Sequence, residues 1–213
     1  HVGGGFGVPG FQGGQLILFP AEKAGKAFFL LLWVKFLQLP DQVGQGLSDL
    51  PQVLEIYDAI LTQEESGGPV YTNWRRGKYP TADTARSALE AGTLYVGESG
   101  SALWGVVNLN GIQLPEYALI PWTLSANEDQ VGVIHTLCIH PGQSGRGYAR
   151  QMVAFCEEEA RRLGKNVMRL DTWEHNLPAN RLYPSLGYHF AGAAEFFFQG
   201  VIREILNCYE KAL

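Results

Sequence analysis

The stretch IHPGQSGRGYARQMVAFCEEEARRLG, residues 139–164, contains the features that decide the fold of this chain. A β-type run over residues 131–139 leads into it, and apolar residues then recur at helical spacing until Gly164, a typical helix end. Gly145 and Gly147 lie in the turn between the strand and the helix. The stretch therefore predicts a strand, a tight turn and a helix, in that order.

The turn is suited to holding a phosphate group. Glycines let the backbone approach a ligand closely, and the first N–H groups of the following helix are unpaired and lie at the positive end of its dipole. Phosphate is bound in this way largely by backbone atoms, which explains why the turn has few large side chains. Arg146 and Arg150 add positive charge beside it. The alternative is a turn in which the glycines serve only the geometry of the chain.

Two nucleotide-binding motifs fit this turn poorly. A P-loop requires Lys and then Ser or Thr after its second glycine, but Gly147 is followed by Tyr148 and Ala149. A dinucleotide fingerprint requires a third glycine where Arg150 stands, although Asp171 imitates the ribose-binding acid of that motif. The motif for a dinucleotide-dependent oxidoreductase is therefore incomplete.

The composition is that of a globular protein with one sizeable core. The 213 residues are 46% hydrophobic, with a mean hydropathy of −0.05 and a net charge of −5. The acidic balance argues against a nucleic-acid partner, which would usually require a basic face. The cysteines lie in apolar patterns without metal-type spacing, so we expect reduced thiols and no metal site. Since no targeting signal is convincing, the expected location is the cytoplasm.

Residues 1–46 form an N-terminal extension whose structure the sequence does not decide. Residues 1–15 are rich in glycine and predict no regular structure. The apolar run KAFFLLLWVKFLQL, residues 26–39, is too short to span a membrane and is interrupted by Lys35. It predicts either an extra strand or helix packed on the domain or a non-native leader, and it predicts no membrane partner.

Residues 47–213 predict one mixed α/β domain. Two helices capped by Ser48 and Thr81 come first, and two β segments joined by a glycine-containing turn follow. A long loop over residues 111–129 then precedes the strand, turn and helix described above. A further strand, a short helix and two last β segments end the chain. The order ααββ-βαβα-ββ predicts a mixed sheet with one central β-α-β crossover.

Two motifs in this domain resemble those of the GNAT superfamily of N-acetyltransferases, and the resemblance covers about residues 47–213. The first motif, usually Gln/Arg-x-x-Gly-x-Gly/Ala, appears as SGRGYA over residues 144–149, with Ser144 in place of Gln or Arg. The second motif, N-x-x-A-x-x-L-Y-x-x-x-G-F/Y, is matched by Asn176, Ala179, Leu182, Tyr183, Gly187 and Tyr188. The resemblance implies a GNAT-like fold, with a mixed, mostly antiparallel sheet and helices on both faces.

The resemblance also implies that acetyl-CoA binds in a V-shaped opening between the strand that ends at Ile139 and the strand that ends near Thr172. Backbone groups near Leu137 would hold the pantetheine arm, and the glycine turn would hold the pyrophosphate. The implied cofactor-binding residues are Leu137, Cys138, Ile139, Ser144, Gly145, Arg146, Gly147, Tyr148, Ala149, Arg150 and Asn176. The resemblance implies no metal.

The implied catalytic residues are Tyr183 and His135. Tyr183 stands where the family has its general acid, which gives a proton to the departing CoA thiolate, although it can also be a core aromatic residue. Many relatives carry a glutamate base where this chain has Val133, and His135 lies two residues further on the same strand face. Asp171, Glu174 and His175 are alternative bases, or only substrate contacts or loop charges, and an amine that arrives neutral needs no base.

The expected acceptor is a primary amine of a small molecule, and histone-like or ribosomal substrates stay open as alternatives. The loop over residues 64–80 lies where family members shape the acceptor pocket, although it can also be a solvated basic surface. The candidate substrate-binding residues are Trp74, Arg76, Tyr79, Asp171 and Glu174.

The expected function is an N-acetyltransferase that moves the acetyl group of acetyl-CoA to a primary amine by direct transfer through a ternary complex. A GNAT-fold module that binds CoA or a partner without transfer stays open, because Val133 and Ser144 depart from the family pattern. The apolar segment EFFFQGVIREIL, residues 195–206, predicts either the closing strand of a monomer or the contact of a homodimer.

Overall fold

The computed structural model describes residues 14–21, 28–36, 43–198 and 200–213. Most of the glycine-rich segment predicted to lack regular structure lies outside these residues. The described helices are α1 (Val43–Glu65), α2 (Ala82–Glu90), α3 (Tyr148–Arg162) and α4 (Leu177–Ser185). The described strands are β1 (Gly14–Ala21), β2 (Phe28–Phe36), β3 (Leu94–Ser99), β4 (Ala102–Asn110), β5 (Val131–Ile139), β6 (Val167–Trp173), β7 (His189–Phe198) and β8 (Ile202–Ala212).

These strands form one mixed sheet in the order β1-β2-β3-β4-β5-β6-β8-β7. Every neighbouring pair is antiparallel except β5 and β6, which are parallel and are connected through α3. The structure thus confirms the predicted mixed, mostly antiparallel sheet with a central β-α-β crossover. The strands β3 to β8 lie within the predicted domain, and β1 and β2 extend its sheet.

Within the apolar run at residues 26–39, the described part, Phe28–Phe36, is a strand. This strand, β2, pairs antiparallel with β3 at the edge of the domain. The helix α1 begins at Val43, before the predicted cap Ser48, so the predicted domain boundary after residue 46 lies inside a helix. Part of the N-terminal extension therefore continues the sheet of the domain.

Helices cover both faces of the sheet, as predicted. On β3, Leu94 and Val96 pack in the same cluster as the buried residues of α1 and α2, whereas Tyr95 packs with those of α3. Because successive residues of a strand point to opposite faces, α1 and α2 lie on one face and α3 lies on the other.

The sheet opens at the carboxyl end of its parallel pair. The strands β5 and β6 are paired only as far as Ile134 opposite Leu170, and beyond that point they separate. β5 continues along β4 to Ile139, with a shift of register and a positive φ of 50° at Thr136. The predicted V-shaped opening lies between the separated strand ends.

The strand β7 forms one edge of the sheet, and its side chains Phe190 and Phe197 are exposed. The predicted homodimer through this region stays a prediction. The cysteines Cys138, Cys156 and Cys208 are free thiols buried in the core. Among the described helices, none combines the length and the hydropathy needed to cross a bilayer.

Candidate active site

A cavity of about 440 Å³ occupies the opening between β5 and β6. The separated ends of these strands form its centre, and the start of α4, the helical turn Pro141–Gln143 and the following Ser144 border one side. The end of α1, the loop after α1 and the β7–β8 hairpin border the other side. Its volume is that of a typical small-molecule site.

The glycine turn has the backbone that the sequence predicted. Gly145 and Gly147 adopt positive φ angles of 76° and 79°, a conformation that residues with a side chain rarely adopt. A Cβ atom at either position would face open space. Gly147 is the N-cap of α3 and provides no side-chain cap. Because the first backbone bond of the helix runs from the N–H of Gln151 to the carbonyl of Gly147, the preceding N–H groups remain available to an anion.

Large side chains near the turn have structural partners. The ring of Tyr148 stacks on Trp104 with centroids 4.4 Å apart, and Arg150 Nη2 donates to Ser185 Oγ at 2.9 Å, which ties α3 to α4. Arg146 is exposed. Ser144 and Ala149 line the cavity. The capacity of this turn to hold phosphate therefore rests on its backbone.

The predicted residues of the pantetheine arm also lie at the cavity. Leu137, Cys138 and Ile139 line it from β5. Burial raises the pKa of the Cys138 thiol, so this thiol stays neutral, and it donates to the carbonyl of Thr136 at 3.4 Å. Asn176 caps α4, because its Oδ1 accepts from the N–H of Ala179 at 3.1 Å. The amide nitrogen of Asn176 is thus available as a donor at the cavity.

Tyr183 lines the cavity and is 6% exposed. Its ring packs edge-on against Tyr188 with centroids 5.8 Å apart. Within the described residues its hydroxyl has no hydrogen-bond partner. Burial, with the negative charge of Asp171, raises the pKa of Tyr183 above its ordinary value. The phenol therefore keeps its proton at neutral pH and can donate it to a group in the cavity.

His135 does not reach the cavity. Ile134 and Thr136 line the cavity, and His135 between them points to the other face of β5, where its Nε2 lies 3.0 Å from the carbonyl oxygen of Ile112. Burial lowers the pKa of His135. The prediction placed His135 on the same face of β5 as Val133. At His135 this face does not border the cavity, because the long loop that contains Ile112 covers the side chain.

Two predicted acceptor residues also lie outside the cavity. Arg76 pairs with Asp58 and Glu65 on α1, at 2.9 Å from Glu65, and its Nη2 donates to Thr62 at 3.0 Å. Glu174 lies after β6 with its carboxylate 3.6 Å from His175 Nε2. The remaining three predicted acceptor residues, Trp74, Tyr79 and Asp171, line the cavity.

Asp171 and Glu204 bring two carboxyl groups to the cavity. Burial raises the pKa of Asp171 to about 6, opposed by a hydrogen bond from the Tyr117 hydroxyl at 2.7 Å. Burial, with the charge of Asp171, raises the pKa of Glu204 to about 7. Glu204 was not among the predicted site residues, because an acid in the segment IREIL belongs to no motif that indicates a site.

Glu64 also lines the cavity and was missed. Its Oε1 accepts from the backbone N–H groups of Tyr71 and Thr72 at 2.8 and 2.9 Å, and its Oε2 accepts from the Thr72 hydroxyl at 2.8 Å. Tyr79 is held by a hydrogen bond between its hydroxyl and that of Thr136. The loop after α1 is thus fixed to α1 and to β5, and it presents Trp74 and Tyr79 to the cavity.

No cluster of His, Cys, Asp or Glu side chains in the described ranges is arranged to hold a metal ion. The chemistry that these ranges bring to the cavity is a protonated phenol and three carboxyl groups, with the uncapped start of α3 beside them.

Comparisons with known sequences agree with this geometry. Residues 52–188 match the model of the acetyltransferase (GNAT) family. The chain is 31% identical over 130 residues to the N-acetyltransferase YycN of Bacillus subtilis, covering 52% of this chain and 81% of YycN. It is 38% identical over 56 residues to the L-methionine sulfoximine/L-methionine sulfone acetyltransferase of Salmonella typhimurium, covering 26% of this chain and 33% of that protein. That second match thus spans only a third of the relative's length.

Solved structures show the same fold. A GNAT family acetyltransferase from Listeria monocytogenes superposes with a TM-score of 0.62 at 20% identity, covering 86% of this chain and 96% of that chain. The yncA protein of Salmonella typhimurium, whose structure includes its cofactor acetyl-CoA, superposes with a TM-score of 0.56 at 19% identity, covering 85% and 94%. The motifs, the fold and the family match lead to one conclusion: this chain belongs to the GNAT family of acetyltransferases.

Proposed function

We propose that this chain is an N-acetyltransferase that transfers the acetyl group of acetyl-CoA directly to a primary amine of a small molecule. One observation carries the proposal: a single cavity has an uncapped helix N-terminus on one side and Tyr183, Asp171 and Glu204 on its other walls. The first group suits a pyrophosphate, and the others suit proton transfer beside it. Both substrates then bind together, without an acetylated enzyme.

The residues around the opening fit acetyl-CoA. The backbone N–H groups of residues 147–150 would hold the pyrophosphate, and the backbone of Leu137 and Ile139 would hold the arm along β5. The amide of Asn176 is a further donor. When bound, acetyl-CoA supplies a thioester whose carbonyl carbon accepts an amine nucleophile.

Proton transfer is divided between two residues in this proposal. Tyr183 holds a proton on its hydroxyl oxygen and acts as the general acid. Glu204 acts as the general base, since its pKa of about 7 is near the working pH and its carboxylate has no partner among the described residues. Glu204 thus takes the role that the sequence assigned to His135.

The first test is binding of acetyl-CoA by isothermal titration calorimetry. We expect wild-type protein to bind and Gly147→Glu not to bind, because the new side chain strains the left-handed backbone and repels pyrophosphate. Gly164→Glu is the matched control, since Gly164 has a φ of 77° at the opposite end of the same helix and also faces open space. Loss of binding in both variants would point to a damaged fold, whereas binding retained by Gly147→Glu would contradict the cradle.

The second test is release of free CoA in the presence of a panel of primary amines. Release with at least one amine, matched by formation of its acetamide, supports the transferase. Binding of acetyl-CoA without release for any amine would contradict it and would favour the CoA-binding module.

A further inference from the structure

The charges that line the cavity are of one sign. Its described lining includes the carboxyl groups of Glu64, Asp171 and Glu204, and among these lining residues there is no Lys, Arg or His. Glu64 is saturated by the loop after α1, so Asp171 and Glu204 are the two acids left to meet a ligand. Burial weakens their hydration, which strengthens their interaction with any charge that enters.

Nearby cations are held elsewhere. Arg203, adjacent to Glu204, pairs with Glu195 at 3.0 Å and lies over the ring of Phe197. Arg169, two residues before Asp171, donates to Gln113 at 2.5 Å and to the carbonyl of Leu124 at 3.2 Å. Neither guanidinium lines the cavity. A negatively charged group on the acceptor would therefore find no counter-ion there.

The uncharged part of the wall is aromatic. Trp74 and Tyr79 lie with centroids 5.7 Å apart, and Tyr79 and Phe198 lie 4.5 Å apart, all three lining the cavity. The hydroxyl of Tyr79 is bound to Thr136, which fixes the ring. Aromatic faces attract cations and pack against apolar groups. The wall therefore favours an acceptor that is cationic or apolar and disfavours an anionic one.

We infer that the acceptor is a cationic amine that carries no carboxylate, such as an arylalkylamine or a diamine, and that free α-amino acids are excluded. This inference rests on the proposed function, because it describes the second substrate of the same cavity. The ammonium group lies near Asp171 and Glu204, and the rest of the acceptor lies against Trp74, Tyr79 and Phe198. A carboxylate next to the amine is rejected by repulsion from the two acids and by the lack of a counter-ion.

The test compares amines and amino acids in matched pairs at pH 8, where both acids are ionised. The pairs are phenethylamine and phenylalanine, cadaverine and lysine, and 3-(methylthio)propylamine and methionine. We expect kcat/KM, measured by CoA release, to favour the amine of the accepted pair by roughly 1,000-fold, as for one like-charge contact at about 4 Å near a protein surface. Phenylalaninamide separates charge from size, since it keeps the branch at Cα but lacks the carboxylate, and it should behave as the amine.

Binding measured without turnover keeps this inference distinct from the proposed function. Each amine and each amino acid is titrated calorimetrically into the protein saturated with CoA, and only the amines should bind. The double variant Glu204→Gln, Asp171→Asn should reduce the difference in affinity between amine and amino acid. If no pair supports turnover but the amines alone bind, the proposed transferase activity is contradicted, whereas the inference that the cavity selects cationic amines stands. Equal or tighter binding of the amino acids, or no binding of either class, overturns it.

Discussion

The hydroxyl of Tyr117 donates a hydrogen bond of 2.7 Å to the carboxylate of Asp171. Tyr117 is buried in the long loop before β5, and Asp171 lies near the end of β6 at the cavity. The bond therefore connects the loop to the proposed acceptor site. It also stabilises the ionised carboxylate, opposing the burial that raises the pKa of Asp171 to about 6.

We predict that Tyr117→Phe shifts the acidic limb of the pH profile to higher pH. In wild type, kcat/KM should rise with pH through about 6 to 7, as Asp171 and Glu204 lose their protons and can attract the acceptor. Removing the Tyr117 hydroxyl removes an interaction that favours the ionised form, so the pKa of Asp171 rises further. The measurement is kcat/KM for an accepted amine from pH 5 to 9, and an unmoved limb would show that Asp171 does not control it.

We predict that Asp171→Asn stabilises the protein at pH 8 while lowering its activity. The folded-state pKa of about 6 lies above that of an unfolded aspartate, about 3.9, so the folded protein binds the proton more tightly. The free energy of unfolding therefore falls as the pH rises from about 4 to about 6 and stays lower above that range. Asparagine cannot ionise, so the melting temperature should rise at pH 8, by roughly 2–4 °C for each kcal/mol of this free energy.

At pH 5 the unfolded aspartate is already ionised while most of the folded Asp171 is still protonated, so about half of the destabilisation is present and the same substitution should raise the melting temperature about half as much. Differential scanning calorimetry at the two pH values checks both statements. An equal effect at pH 5 and pH 8 would argue against a buried, pH-dependent charge.

We predict that Tyr183→Phe lowers kcat by roughly 100-fold, the lower end of the range for loss of a general acid. Affinity for acetyl-CoA should stay within a few-fold, because the ring is retained. Tyr188→Phe is the control, because its ring contacts Tyr183 but does not line the cavity. Equal activity of the two variants would assign Tyr183 to the core.

We predict that Glu64→Ala raises KM for the amine by roughly 10-fold and leaves acetyl-CoA affinity unchanged. The substitution removes three hydrogen bonds that hold residues 71–72, and with them the loop that presents Trp74 and Tyr79. Glu65→Ala is the control, since Glu65 pairs with Arg76 on the exposed side of α1. Steady-state kinetics with each substrate varied in turn would detect the difference, and a matching loss of acetyl-CoA affinity would contradict a role limited to the loop.

The features of the proposed cofactor side follow from local rules of chain conformation. The positive φ angles of Gly145 and Gly147 follow from the absence of a side chain, and the helix after them follows from apolar spacing. Asn176 caps α4 at the start of the second motif. Each of these features depends on residues that are close together in the chain, so the sequence is sufficient to predict them.

The acceptor side depended on contacts between distant residues. Arg76 was predicted to bind substrate, but Asp58 and Glu65 on α1 hold it outside the cavity. The face of β5 that contains His135 is covered by the loop that carries Ile112. Strand alternation places His135 on one face of β5, but it does not tell which face borders a cavity.

The sequence by itself determined the family, the order of the elements and the backbone cradle, because motif spacing, turn chemistry and helix capping are properties of short segments. Only the tertiary structure decided which acids line the cavity. Asp171 lies on β6 and Glu204 on β8, and antiparallel pairing of these strands brings both carboxyl groups to one cavity. Their raised pKa values arise from the burial that this packing produces, and burial is set by the whole fold.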